Sequence, residues 1–439
     1  MRERLTSRLL GRAVDPEAVF LALEERHADV FWLDAGAAAA EGWSYVGTGE
    51  RASFPGEVRL DETMTRGDDE PPFRGGCVGW YDYESGAKTA GAPVAEVGQS
   101  GPGARDAWLR VTRLLAVRHD DGAAWAFAKD DLDDWAAFLD GTSTSEVRPL
   151  SRSEDRLASA RHTPEEYTSL IERCRALIRA GIAYQLCLTT RFTVTGVDDA
   201  VDVYRRLRTA IPAHHGGFLR IGGRSLLSAS PEQFLQAEGG VIRTRPIKGT
   251  RPRGADREAD AALAAELAVD EKERAENVMI VDLMRNDLSR VCVPGTIRAE
   301  ALWKVETYPA VHQLVSTVSG TAARGVDVAA LFAAAAPAGS MTGAPKLSAM
   351  TRLHELEGGA RGVYAGCFGF VGDDGVLDLA MVIRSILVEG DQASVGAGGG
   401  ITWRSIAASE VAEVATKARA PLAALGADTP VAWASDILN

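Results

Sequence analysis

The sequence predicts a globular chain that mixes β-strands with α-helices. Three observations predict it. The 439 residues are 46% hydrophobic and 25% charged, enough apolar material to build a large core without metal or disulfide staples. The first 150 residues read as short apolar runs broken by glycine and proline. From Thr163 onward, helical periods with capping residues alternate with further strand-like runs. The formal charge of -13 argues against a nucleic-acid binder, which would present a basic face. No run of about 18 apolar residues exists to span a membrane. Five scattered cysteines, Cys77, Cys174, Cys187, Cys292 and Cys367, include no Cys-x-x-Cys, which fits a reducing cytoplasm better than a disulfide framework or a zinc site.

Along the chain, the Arg-rich start MRERLTSRLLGRAV carries Glu3 and runs into Asp15 and Glu17, so it reads as an ordinary helix and not as a transit peptide. DVFWLDAG, PFRGGCVGWYDYE and RDAWLRVTRLLAVRHD follow as strands, and the polar stretch 141–160 is the linker candidate. TPEEYTSLIERCRALIRAG is a helix, with Thr163 as cap, Pro164 at its first position and Gly181 at its end. AYQLCLTTRFTV reads as a buried strand, VDVYRRLRTAIP as a helix, and GGFLRIG and SLLSAS as strands. Residues 256–291 form one long helical stretch, with apolar residues on several faces of its core. GVYAGCFGFVG, LDLAMVIRSILVEG and ASVGAGGGI are strands, and a last helix covers roughly 407–425. There is no internal repeat of 20 to 50 residues.

Three features carry possible chemistry. Glu273 with Glu276, and Glu410 with Glu413, are Glu-x-x-Glu pairs; residues three apart on a helix share a face, so each pair aims two carboxylates one way. Two such faces brought together suit a hard cation such as magnesium. Equally, Lys272 with Glu276 and Glu413 with Lys417 could be i,i+4 ion pairs on solvated faces. The run Gly396-Ala397-Gly398-Gly399-Gly400 lets backbone amides approach an anion, or simply makes a tight turn; it does not match the dinucleotide fingerprint. Lys248, in RPIKGTRPRG, is either a surface residue or an amine nucleophile kept neutral by a dry or cationic surrounding, to which Arg245 and Arg251 would contribute.

Taken together, these segments resemble the chorismate-utilising synthases, the family of anthranilate, aminodeoxychorismate, isochorismate and salicylate synthases. The matching text runs in one order through SPEQFL, RPIKGTRPRG, AENVMIVDLMRNDLSRV, PAGSMTGAPKLSAM, YAGCFGFVG, AMVIRS and GAGGGI, and more loosely through FWLD and PFRGGCVGWYDYE near the start. The resemblance implies an α+β fold: two large packed antiparallel β-sheets with helices outside and a central cleft. It divides the chain into an N-terminal region, 1–150, and a chorismate-binding catalytic region, 160–425.

By the same resemblance, Glu276 and Glu413 hold magnesium most directly, and Glu273 and Glu410 hold its waters. Arg384, Tyr364, Lys417, Thr342, Gly343 and the amides around Gly398 and Gly399 bind the substrate and its carboxylates. Glu232, in Ser230-Pro231-Glu232, matches the family's acid–base carboxylate, which needs a raised pKa to donate a proton to the hydroxyl at ring carbon 4.

Two positions separate the subfamilies. The isochorismate and salicylate makers have a lysine base where this chain has Gln185, and glutamine cannot take a proton from water. The anthranilate makers usually have alanine where this chain has Lys248. Both positions imply an aminodeoxychorismate synthase large subunit. Such a subunit takes chorismate and ammonia, draws the ammonia from a separate glutamine amidotransferase, and works through a covalent lysine intermediate. The rivals are an anthranilate or 2-amino-2-deoxyisochorismate synthase and a non-catalytic relative. There are three departures from the family pattern. Gln313 stands where a histidine is common, with His312 one place earlier, and both are carried as catalytic candidates. Arg404 replaces an acidic residue. The text around Asp34 lacks the serine of the tryptophan pocket in feedback-regulated relatives, which predicts no tight inhibition by tryptophan.

Overall fold

The computed structural model describes residues 4–434 except 38, 62–66, 68, 96–105, 143–147, 152–154 and 310. Its strands form two antiparallel sheets that share the long strand Ala107–Arg118. In the first sheet the order is Thr6–Leu10, Ala124–Ala128, Ala107–Arg118, Trp43–Ala52, Val30–Asp34, His215–Ile221, Arg224–Ser230, Ser385–Glu389, Gln392–Ile401 and Gln185–Thr195. In the second, the start of Ala107–Arg118 pairs with Gly76–Tyr81, followed by Cys367–Gly372, Leu377–Met381, Gln233–Glu238, Val241–Thr244, Val311–Thr321 and Arg298–Thr307. Strands from before and after the polar stretch 141–160 therefore lie side by side in both sheets. The part of that stretch at 143–147 and 152–154 lies outside the described residues.

Strand alternation builds the layers. Phe31 and Leu33 point into the space between the sheets and meet Val78, Trp80, Phe368 and Phe370 there. Their neighbours Val30 and Trp32 point the other way, into a core shared with Phe20, Trp135, Tyr167, Tyr204 and Val414 of the outer helices. On the second sheet, Leu377, Leu379 and Met381 pack outward against Ile280, Met284 and Leu331. Trp32, Trp80, Trp108 and Trp135 are all at 1% exposure or less, and each large apolar side chain so buried contributes roughly 2–3 kcal/mol. The α+β arrangement of two packed sheets with helices outside is the one the family resemblance implies. All five cysteines are buried and free.

Local expectations hold where the pattern is strong. The helix Pro164–Arg179 starts at Thr163 in a capping box closed by Glu166. Three expectations need correction. The N-terminal stretch is not a helix: Thr6–Leu10 is a strand pairing with Ala124–Ala128, held at the sheet edge by Thr6 Oγ1 on the Ala128 carbonyl and by Arg8 on Asp133. Tertiary pairing outweighs the weak helical preference of an Arg-rich run. The stretch 256–291 is two helices, Arg257–Val269 and Glu271–Ser289, broken at Asp270, whose side chain caps the second by accepting from Glu273 N at 2.9 Å. LDLAMVIRSILVEG is likewise two strands, Leu377–Met381 and Ser385–Glu389, interrupted at Arg384 with φ 53°. A non-glycine residue in that left-handed region is strained and commonly marks a functional position.

Candidate active site

A cavity of about 500 Å³ lies where the helices Glu271–Ser289 and Ala407–Ala424 begin, beside the strands Ile247–Pro252, Val311–Thr321 and Gln392–Ile401. It collects Glu232, Lys248, Gln313, Tyr364, Arg384, Gly398, Lys417 and all four paired glutamates.

Glu232 follows the strand Arg224–Ser230 and is 8% exposed. Burial pushes its carboxyl up to about 7; the neighbouring Lys248 and the Ser340 hydroxyl, which donates at 3.3 Å, hold it from going higher. Lys248 sits opposite Leu314, just before a bulge at Gly249, φ 77°. A Cβ on Gly249 would lie 2.8 Å from Leu267 and 3.0 Å from Glu273, so glycine here lets the Glu273 helix approach the lysine strand. Arg245 is held by Glu306 at 2.6 Å and Arg251 by Asp270 at 2.9 Å, so carboxylates already balance both of the arginines flanking Lys248.

Of the neighbours His312 and Gln313, strand alternation sends only Gln313 into the cavity. His312 faces away, with Nε2 2.9 Å from the Asp260 carboxylate and Nδ1 2.9 Å from Thr307 Oγ1. Gln313 Oε1 is buried without a hydrogen-bond partner among the described residues. Gln185 is also fully buried, with both amide atoms unpartnered among the described residues, pressed behind the glycine run: a Cβ on Gly400 would lie 2.3 Å from its Nε2.

The glycine run is a strand and not a turn. Gln392–Ile401 pairs with Gln185–Thr195 along its whole length but with Ser385–Glu389 only as far as Val395, which leaves alternate N–H groups of the run unpaired by any strand. The missing side chains make room for specific neighbours: a Cβ on Gly396 would sit 2.2 Å from the Tyr364 ring, and one on Gly399 3.0 Å from Glu410 Oε2. Lys417 Nζ donates to Gly398 O at 2.8 Å, and Arg384 donates to the Lys417 carbonyl at 3.3 Å. Burial pulls the Arg384 guanidinium below its ordinary value, against the pull of Tyr364 and Glu413. Thr342 and Gly343 lie behind the wall: Thr342 Oγ1 donates to Ala338 O at 3.2 Å, while Gly343 pairs with Leu186 and would strike Gln185 O with any Cβ. Ser340 and Met341, in the same motif, reach the cavity instead.

The four glutamates do both things their spacing allowed. Lys272 lies 3.9 Å from Glu276 and Lys417 2.6 Å from Glu413, yet all four carboxylates line the cavity. Burial and the neighbouring Glu276 raise Glu273; burial raises Glu410 against the Ser405 hydroxyl, and Glu413 adds to the rise. The cavity walls push Glu413 up as well, but Lys417 outweighs them and holds it below its ordinary value. Among the described residues, no three His, Cys, Asp or Glu groups already stand close enough to cage a metal. The carboxylates are hard oxygen donors under like-charge pressure, which a divalent cation would relieve. Ser340 and Thr416 also line the cavity without being marked by sequence pattern, although Ser340 lies within PAGSMTGAPKLSAM.

The chorismate binding enzyme family matches residues 21–423 of the chain. An aminodeoxychorismate synthase of Streptomyces pristinaespiralis is 41% identical over 384 residues, covering 83% of this chain and 52% of that protein. This chain thus spans about half the length of that relative. The anthranilate synthase component 1 of Streptomyces coelicolor is 39% identical, covering 81% of this chain and 73% of that protein. In structure, anthranilate synthase component I of Streptococcus pneumoniae superposes with a TM-score of 0.73 at 26% identity, over 94% of this chain and 99% of that one. Among the described residues, no helix is long and apolar enough to cross a membrane.

Proposed function

The chain belongs to the chorismate binding enzyme family, and from that premise we propose that it aminates carbon 4 of chorismate, giving 4-amino-4-deoxychorismate. The observation that carries this reading is the meeting of Lys248 with Glu232, its carboxyl raised to about 7, in one cavity with the two glutamate pairs. An amine nucleophile and a carboxylic acid are the two groups needed to replace a hydroxyl that leaves poorly.

The Lys248 amine attacks ring carbon 2, the double bonds shift, and the bond from carbon 4 to its oxygen breaks. Glu232 gives its proton to the departing oxygen, which leaves as water. Ammonia then bonds to carbon 4, the double bonds shift back, and the bond between carbon 2 and Lys248 breaks. The proton lost by the incoming nitrogen restores Glu232. Arg384, Lys417 and the unpaired amides of the glycine run bind the substrate's carboxylates, and their fixed dipoles and charges stabilise the shifting charge. Glu273, Glu276, Glu410 and Glu413 would hold magnesium, which when bound neutralises a substrate carboxylate. Gln185, neutral and fully buried, keeps a water-activating base out of the reaction. Ammonia comes from a separate glutamine amidotransferase, so that this chain alone uses ammonium but not glutamine.

The test is Lys248→Ala with chorismate, magnesium and ammonium. Formation of 4-amino-4-deoxychorismate should fall by about 10³-fold or more, the scale of losing an essential nucleophile. The unmutated enzyme given chorismate without ammonia should show a mass adduct on Lys248. A Lys248→Ala enzyme running at the normal rate rules the covalent step out. Amination at carbon 2 in the unmutated enzyme would instead make it an anthranilate-type synthase, the other activity named among its relatives.

A further inference from the structure

A second cavity, of about 270 Å³, lies on the other side of Tyr364 and Gly396, which line both spaces. Its charge is unusual. Arg161 donates to the carbonyls of Gly359 at 3.2 Å and Ala360 at 2.7 Å, and Arg191 donates to the same Ala360 carbonyl at 2.7 Å. Two guanidiniums therefore converge on one neutral oxygen, and neither is within ion-pair distance of a carboxylate among the described residues. The nearest acids are already engaged: Glu357 by Arg361, and Glu84 by the backbone N–H groups of Arg361 and Gly362. Burial, with Arg161 beside it, brings Arg191 down to about 10, and Glu84 offsets only part of that fall. Each guanidinium has five N–H donors and uses only one or two of them on the described residues.

The rest of the lining is apolar on one side, where Val363, Val382 and Leu387 are 4%, 1% and 7% exposed. An inorganic anion would leave that wall unused. A carboxylate matches the planar guanidinium fork, and an apolar body behind it covers the three side chains. We propose that this cavity is a binding site for a small organic carboxylate, gripped by Arg161 and Arg191 with its apolar body against Val363, Val382 and Leu387. The inference rests on the cavity alone and stands whichever ring carbon the enzyme aminates.

The experiment is calorimetric titration of the full chain with benzoate at constant ionic strength. Saturable binding is expected, weakened about tenfold or more in Arg191→Gln and again in Arg161→Gln, since each removes charge-assisted hydrogen bonds. Arg384→Gln, in the first cavity, should leave the Arg191-dependent benzoate affinity within about twofold, because Arg384 does not line the second cavity. Inorganic phosphate in the same titration should bind more weakly than benzoate. Thermal midpoints check that each variant folds, and either arginine variant suffices if the other does not. No benzoate binding, binding indifferent to the foldable arginine variants, binding lost in Arg384→Gln, or phosphate binding more tightly than benzoate would each overturn the proposal.

Discussion

The two glutamate pairs share a spacing and a place, yet they are built differently. Each lies near the start of its helix, where the dipole favours negative charge. Glu273 and Glu276 sit on a helix whose first turn is fixed by a polar cap, Asp270 accepting from the N–H of Glu273 itself. Glu410 and Glu413 sit on a helix whose N-cap is Ile406, with no side-chain cap at all; Val411, Val414 and Ala415, buried to 1% or less, hold it in place instead. The lysines differ too. Lys272 is 64% exposed at 3.9 Å from Glu276, a contact worth little, whereas Lys417 is 31% exposed and 2.6 Å from Glu413, with a second bond to Gly398 O. Spacing places a carboxylate, and its neighbours decide what charge it carries.

The sharpest way to break that comparison is to remove one carboxylate from each side. If these carboxylates hold an essential cation, Glu276→Ala and Glu413→Ala should each cut turnover by about 10³-fold or more. Chelator should silence the unmutated enzyme, and magnesium should restore it. Glu413→Ala leaves Lys417 without its ion-pair partner, so it should also weaken chorismate binding differently from Glu276→Ala. Full turnover in excess chelator would remove the cation from the account and leave both pairs as ion-pair partners of their lysines.

Glu232 sets the next effect, because it is raised with no carboxylate partner. Its folded value, about 7, lies above the roughly 4.3 of an unfolded glutamate, so its contribution to stability is fully present below pH 4 and lost as pH rises through 7. At pH 8 the buried carboxylate is charged and destabilising. Glu232→Gln should therefore be more stable than the unmutated chain at pH 8 by about 1–3 kcal/mol, with no such gain at pH 4.5. Urea midpoints at the two pH values read this directly. Turnover has the same sign: the proton donor is lost above pH 7, and kcat/KM falls on that side. A gain in stability equal at both pH values would mean that packing, and not charge, separates the two side chains.

Much of this is legible in the sequence alone. The capped helix at Thr163 and the strands at Val30–Asp34 and Gly76–Tyr81 follow from local pattern, whereas Lys248, Glu232 and the glutamates, which share one cavity, were brought together by the family resemblance. What was not legible depends on contacts distant in sequence. Thr6–Leu10 became a strand because Ala124–Ala128 presents an edge to it. The choice between His312 and Gln313 is one of strand parity, and a reading without the register of Val311–Thr321 against Ile247–Pro252 has no means of making it. The arginine cavity joins Arg161, Arg191 and Val363 from three separate segments, none of which forms a motif. Asp270 was missed for a different reason: an acidic residue between two helical runs looks like helix continuation until its ψ of 112° is seen.

The smallest effect tests the caps, where the two helices should respond in opposite directions. Asp270→Ala removes the bond to Glu273 N and the pair with Arg251, and should cost about 1 kcal/mol, the usual value of a lost cap. Asp270→Asn keeps a good capping side chain and gives up only the charge, so it should recover most of that loss. Ile406, 66% exposed with extended backbone at φ −104° and ψ 119°, already has the geometry of a capping residue but lacks the oxygen. Ile406→Ser should supply it and add about 0.5–1 kcal/mol, while leaving turnover unchanged because the core and not the cap positions Glu410 and Glu413. Urea midpoints for the three variants decide it. If Ile406→Ser lowers the midpoint instead, the isoleucine is making an apolar contact the helix needs, and the distinction between a helix fixed by its cap and one fixed by its core fails at its second member.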